Sequence, residues 1–278
     1  MTTKVPARRR RKKVGLTART ADKFVLYQQS VQSPEVDVRF LSRRHQQITG
    51  RPLRVFREDF CGTAALCCEF VRLHRDNRAV GVDLHGPTLD WGRTHNIAAL
   101  TSDQQQRLTL LQEDVLAVNG ERMDLIAAMN FSYSIFKTRD TLRAYARNVR
   151  RGLRPGGLFL LDVFGGSQAQ EEMEEETAQA GFTYIWDQAK FDPISHHSTC
   201  KIHFAFRDGS MMRSAFVYDW RLWTLPELQE IMTEAGFNDV HVLWEMTDRD
   251  TNDGNGVFRR VRCGEADPAW IAYVVGQR

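Results

Sequence analysis

The sequence predicts an α/β chain: a doubly wound, mostly parallel sheet of seven strands carrying an antiparallel β insert after the fifth. Three observations lead there. Beyond Thr20, short β-rich runs alternate with helical patterns, the mark of a parallel sheet wrapped by helices. Between residues 182 and 220 that rhythm gives way to aromatic and β-branched residues divided by Asp208-Gly209, which reads as a hairpin turn. Two closing β-rich runs, 240–246 and 270–276, bring the sheet to seven strands.

The first five strands are expected at 53–57, 79–83, 108–111, 124–129 and 158–164. Residues 63–75 and 138–153 are helical in pattern, the second placing Leu142, Tyr145, Ala146, Val149 and Leu153 on one face. Gly156 and Gly157 end it. The acidic stretch 171–176 reads as the solvent face of a helix. After the insert, Thr224 and Glu227 have capping-box spacing, Pro226 fits a first turn and Gly236 a helix stop.

With 278 residues, 42% hydrophobic and 26% charged, the chain has the composition of an ordinary globular protein and enough length to bury a core. Its apolar runs are too short to cross a bilayer, so no membrane partner is expected. The net charge of +3 is unevenly spread: residues 1–20 hold eight cations and no acid, which leaves 30 Lys and Arg against 35 Asp and Glu elsewhere. Residues 1–20 are therefore expected to form a disordered basic tail, whose run at 8–13 could meet nucleic-acid phosphates through counterion release. A polyanionic partner is not favoured, because the remaining body is acidic. Five cysteines at 61, 67, 68, 200 and 263 give neither a disulfide framework nor a zinc-finger spacing, so the expectation is a cytoplasmic protein without a metal.

The chemistry concentrates where strands end. Residues 55–64 form a strand, a tight turn of small residues around Gly62, and a helix start whose free N–H groups can face an anion. Asp83 ends the second strand 21 residues after Gly62, where a carboxylate can take both hydroxyls of a ribose. Together these features point to a nucleoside cofactor.

Over roughly residues 21–278 these segments resemble the class I S-adenosylmethionine-dependent methyltransferases, in the architecture of the glycine N-methyltransferase-like, small-molecule enzymes. Glu58 matches the acidic first position of that family's glycine-rich motif, Cys61-Gly62-Thr63-Ala64 resembles its Cys-Gly-Thr-Gly, and Asp83 matches its ribose-binding acid. Asp114 and Val115 resemble the pair at the adenine ring, and Asn130-Phe131-Ser132-Tyr133 resembles the fourth motif beside the methyl donor. Arg154-Pro155-Gly156-Gly157 resembles the turn into the fifth strand. Phe60 and Ala64 depart from the pattern by standing where the family usually has glycine, so the loop must be backed by packing.

The resemblance implies a Rossmann-like methyltransferase fold over 51–278, a helical lid at 21–50 and S-adenosyl-L-methionine as cofactor. The cofactor would be held by Tyr27, Glu58, Phe60, Cys61, Gly62 and Thr63, then Asp83, Leu84, Asp114, Val115, Asn130 and Phe131. Asn130 and Tyr133 would orient the acceptor as the catalytic pair, because methyl transfer from a sulfonium needs mainly in-line positioning. In the insert, Trp186, His196 and His197 are candidates for substrate contact, and Trp220 and Trp223 for the pocket wall. The implied activity is methylation of a nitrogen or oxygen on a small molecule. RNA, DNA or protein as acceptor, with the basic tail as tether, and a catalytically silent cofactor-binding scaffold are the alternatives.

Overall fold

The computed structural model describes residues 15–248 and 254–278. The basic run at 8–13 lies outside the described residues. In chain order the elements are α1 (Lys23–Val31), α2 (Pro34–Thr49), β1 (Val55–Asp59), α3 (Ala65–Leu73), β2 (Arg78–Val82), α4 (Gly86–His95), α5 (Ser102–Gln106), β3 (Leu108–Leu111) and β4 (Met123–Ala128). They continue as α6 (Arg139–Gly152), β5 (Leu153–Gly165), β6 (Met173–Ala178), β7 (Phe182–Phe191), β8 (His197–Phe206) and β9 (Met211–Arg221). The last are α7 (Leu225–Glu234), β10 (Asp239–Thr247), β11 (Gly254–Val261) and β12 (Trp270–Gln277).

The main sheet has the order β11-β10-β12-β5-β4-β1-β2-β3. The neighbours from β5 to β3 pair parallel, while β12 runs antiparallel to both β5 and β10. This is the expected doubly wound sheet with one strand more, because β11 pairs antiparallel on the β10 edge. Strands β1 and β4 are buried along their whole length, as strands covered by helices on both faces must be. The chain order reverses between β1 and β4, and the crevice at their carboxyl ends is where an open α/β sheet binds ligands.

Local signals explain the helices. Leu142, Tyr145, Ala146 and Val149 on α6 are buried against the sheet, and the Thr138 side chain accepts from the Thr141 amide. The Thr224–Glu227 capping box on α7 is fully formed. Asp22 caps α1 by accepting from the Phe24 and Val25 amides, and its other oxygen accepts from Trp91 Nε1 at 2.8 Å, which ties α1 to α4.

The insert is a separate antiparallel sheet, β6-β7-β8-β9. It starts nine residues before the expected 182, since β6 begins at Met173. The acidic stretch 171–176 therefore enters a strand, not the helix its charge suggested: Glu174 and Glu175 pair with Asp187 and Trp186 on β7. An exposed edge strand tolerates such charge, and an acidic edge discourages pairing with another chain. Ahead of α1, the Ala18 amide donates to Ser210 Oγ at 3.0 Å, so the end of the expected tail region lies against the β8–β9 turn.

Candidate active site

The loop after β1 is shaped by three left-handed residues, Phe60 (φ 59°), Gly62 (φ 53°) and Ala64 (φ 58°). Only Gly62 adopts that conformation without a steric cost; the others bear about 1–2 kcal/mol each. Packing holds them there. The Phe60 ring lies 6.0 Å from Phe136 and 5.8 Å from Tyr145, and Ala64 is completely buried. The loop thus holds three left-handed residues in a row of five, two of them non-glycine and kept there by packing.

Three elements converge on this loop. Asp83, just after β2, accepts from the Gly62 amide at 2.8 Å through Oδ2 and from the His85 amide at 2.8 Å through Oδ1. The Gln28 side chain on α1 donates to Thr63 Oγ1 at 2.7 Å, and Asn96 donates to the Thr63 carbonyl at 2.9 Å. A Cβ on Gly92 would collide with that carbonyl, which is why α4 can come so close. In front of Gly62 the space is open: an added Cβ would meet only Thr88 Cγ2 at 3.9 Å. Leu84 is 68% exposed beside Asp83, and Asp114 is exposed in its own turn, accepting from the Leu116 amide, while Val115 is buried. A carboxylate, an uncovered apolar side chain and an open loop are the parts a nucleoside site requires.

Glu58 sits behind the loop, buried, and accepts from the Cys67 thiol at 3.2 Å. Burial pushes its carboxyl up to about 8, against the lowering effect of the Cys67 thiol and amide. Cys61, Cys67 and Cys68 are buried thiols whose ionisation burial suppresses, so they pack and do not act as nucleophiles. A Cβ on Gly81 would stand 2.8 Å from Cys61 Sγ, a fit of small residues between loop and sheet.

After β4, Asn130 (φ 55°) and Phe131 (φ 57°) form a second left-handed turn. Its clamp is Asp162 on β5, a residue sequence reasoning missed. Asp162 accepts from the Asn130 amide at 2.6 Å and from the Phe131 amide at 2.9 Å. Burial raises its carboxyl to about 7, opposed by those two amides.

Asn130 and Phe131 open into a cavity of about 520 Å³ between the carboxyl ends of β4 and β5, one face of the insert, α1, and the segment before β12. Trp186 and Trp220, the wall candidates, line it, and so does Tyr27, which was expected at the cofactor. Its ring wall is continuous: Phe131 lies 4.7 Å from Phe164 and 6.3 Å from Trp220, which lies 4.5 Å from Tyr218 and 6.0 Å from Trp186. Burial pushes the Tyr27 phenol up to about 12, with a hydrogen bond to Tyr218 working against it. A Cβ on Gly165 would collide with the Trp270 ring, so that glycine admits Trp270 to the cavity edge. Tyr184, Tyr218, Glu175 and Glu245 also line it and were not anticipated. Strand alternation across 182–220 was the available signal, but it leaves open which face is covered.

Other anticipated residues fall elsewhere. Tyr133 is 2% exposed within the main core and does not line the cavity, because the turn at 132–135 points it inward under β4. His196 and His197 close the β7–β8 hairpin and also lie off the cavity; His196 is left-handed (φ 57°) and its amide donates to the Asp192 carbonyl. Trp223 belongs to the core, where its indole donates to the Phe136 carbonyl at 3.1 Å under the Arg221 guanidinium.

One group outside the cavity has metal-ligand composition. Glu174, Asp187 and His203 bring ligand atoms within 4.8 Å of one another on the opposite face of the insert. The Ser214 amide donates to His203 Nδ1 at 2.6 Å, so in the neutral ring Nε2 carries the proton and faces Asp187 Oδ2 at 3.1 Å. A nitrogen so protonated offers no lone pair to a cation, and Ser214, His203 and Asp187 form a structural hydrogen-bonded chain.

No protein-family model and no curated protein matches the sequence. Solved structures do match in shape. A S-adenosylmethionine-dependent methyltransferase from Clostridium acetobutylicum ATCC 824 superposes with a TM-score of 0.64 at 18% identity, covering 91% of this chain and 97% of that one. The sugar N-methyltransferase KedS8 from Streptoalloteichus sp ATCC 53650 gives 0.63 at 16%, covering 100% and 99%. An amino pentose methyltransferase from Micromonospora echinaspora, solved with SAM bound, gives 0.64 at 14%, covering 92% and 95%. The fold is that of these methyltransferases. At such identities the likeness extends along nearly the whole chain, insert included, and concerns architecture. Among the described residues, no helix is long and apolar enough to cross a membrane.

Proposed function

We propose that the protein is an S-adenosyl-L-methionine-dependent methyltransferase acting on a nitrogen or oxygen of a small molecule. The single observation that carries this reading is the joint between two sites. The open loop at 60–64, gripped by Asp83, lies at the switch point of the sheet, and one strand away the Asn130–Phe131 turn opens into the ring-walled cavity.

The residues present fit the cofactor: Asp83 for the ribose hydroxyls, exposed Leu84 with Asp114 and Val115 for adenine, and the loop from Phe60 to Thr63 with Tyr27 for the methionine end. When bound, it supplies a methyl group already activated on a sulfonium. What remains for the chain is to bind, orient and exclude water. Buried Glu58 offers a carboxyl whose ionised form a nearby cation favours. α1, latched by Gln28 to Thr63 and by Asp22 to Trp91, closes the crevice from above. Asn130, fixed by Asp162, presents an amide at the entrance to the cavity. Such positioning can account for roughly 7–11 kcal/mol of a barrier. Four buried thiols among five free cysteines favour a reducing, cytoplasmic setting.

Calorimetry tests the reading. S-adenosylmethionine should bind and NAD should not. Asp83→Ala should weaken the former by about 1.5–3 kcal/mol for each ribose hydroxyl that no longer has its carboxylate acceptor. Unchanged affinity in a folded variant would remove the ribose role.

A further inference from the structure

The cavity has an uneven chemistry. The charged side chains that line it are Glu175 and Glu245; no Lys, Arg or His does so among the described residues. A phosphate or carboxylate placed there would face two carboxylates and no cation. Eight of the other nineteen lining residues are aromatic, with Phe131, Phe164, Trp186, Tyr218 and Trp220 in one connected series and Trp270 at the edge. Ring faces attract cations through their quadrupole, most strongly where water is excluded.

The two acids are placed to complete this arrangement. Glu175 stands directly across from Trp186 in the β6–β7 register, on the cavity side of the insert, and has no cationic partner among the described residues. Glu245 is held by the Gly256 amide, which donates to its Oε1 at 2.8 Å. Lys201, on the other face of the insert, lies 3.7 Å from Asp187, the residue that His203 also meets, and Lys23 lies over the Phe216 ring outside the cavity lining.

We infer that the cavity binds a small organic ammonium, free of phosphate and carboxylate, by the Trp186–Tyr218–Trp220 rings with Glu175 as counter-charge. This rests on the methyltransferase reading for its role as acceptor site: a bound primary, secondary or tertiary ammonium would lose one proton to water, and the amine lone pair so freed would take the methyl next to the Asn130–Phe131 turn. A volume of about 520 Å³ suits a single small molecule.

Choline and its uncharged isostere 3,3-dimethylbutan-1-ol serve as probes on the full chain, read by quenching of tryptophan fluorescence, because Trp186, Trp220 and Trp270 line the cavity. Choline should bind at least about tenfold tighter than the isostere, and inorganic pyrophosphate should not displace it. Glu175→Gln, a change at an exposed edge position, should weaken choline about fivefold or more and leave the isostere unaffected. Trp186→Leu should abolish the preference for charge. Equal affinity for the two probes, no binding of choline, or competition by pyrophosphate would each overturn the inference. S-adenosylmethionine titrated into the same preparation separates the two readings: donor binding without choline binding defeats this inference alone, and choline binding without donor binding defeats the methyltransferase reading.

Discussion

The loop crevice and the ring-walled cavity meet at Asn130–Phe131, yet they are built on opposite principles. The crevice is made mainly of backbone: left-handed turns, amides held by Asp83 and Asp162, and a glycine whose missing side chain leaves room. The cavity is made of side chains, contributed by residues as far apart as Tyr27 and Ile271. A site of backbone demands a conformation and accepts any residue that packing can force into it, as Phe60 and Ala64 demonstrate. A site of side chains demands particular rings and charges, and much of its backbone is ordinary strand.

Gly62→Val is the sharpest way to separate the two. A β-branched residue at φ 53° is strained, and its methyls enter the open space in front of the loop. Binding of S-adenosylmethionine should fall by more than about 100-fold, that is more than about 2.7 kcal/mol, while choline binding in the cavity stays within about twofold. Parallel loss of both in a folded variant would show that crevice and cavity are one unit.

Asp162→Ala attacks the joint itself. Two part-buried amides lose their acceptor, at about 1–3 kcal/mol for each. The thermal midpoint should drop, and affinity for the donor and for choline should both decline by about tenfold or more. An effect on only one ligand would place the clamp in that site and not between them.

Glu58 tests the crevice through pH. Its ordinary value of 4.5 applies to the unfolded chain, and burial raises it to about 8 in the fold, so between those values the native state holds more protons than the unfolded one. Stability without ligand must therefore fall as pH rises from about 4.5 to about 8. Asp162, raised from 3.8 to about 7, adds to the decline up to that point. Thermal melts of Glu58→Gln should show a shallower slope that flattens above about pH 7. A parent protein with no decline would contradict the burial of these acids.

The smallest effect is expected from Tyr133→Phe. The phenol is buried in the core, and burial, then Asp162, pushes its ionisation well above the ordinary range. Turnover and both affinities should change by less than about threefold, the usual scale for one buried neutral hydrogen bond or less. A collapse in turnover would bring the hydroxyl back into contact with the reacting atoms.

Much of the crevice was legible in the chain because its parts are local. Gly62 and Asp83 belong to short strand-to-turn segments, and a helix cap such as Thr224–Glu227 is complete within four residues. Asp162 was not legible, since its function exists only where β5 lies beside β4 and the turn after β4 reaches over it. The acidic stretch 171–176 misled for a related reason: local charge says nothing about a neighbour as strong as β7, which recruits Glu174, Glu175 and Glu176 as an edge strand. His196 and His197 carried suitable chemistry, but the hairpin they close turns away from the cavity.

By itself, then, the sequence determined the α/β alternation, the loop after the first strand, the acid at the end of the second and the antiparallel insert, all of which rest on interactions within a few residues. Only the tertiary structure decided which face of the insert looks inward, which tyrosines and acids meet there, and that Tyr133 is core. Those outcomes depend on packing together segments far apart in the chain, from Phe164 against Trp220 to Tyr27 against Phe216, and a two-residue alternation offers both faces of a strand equally until something is packed against one of them.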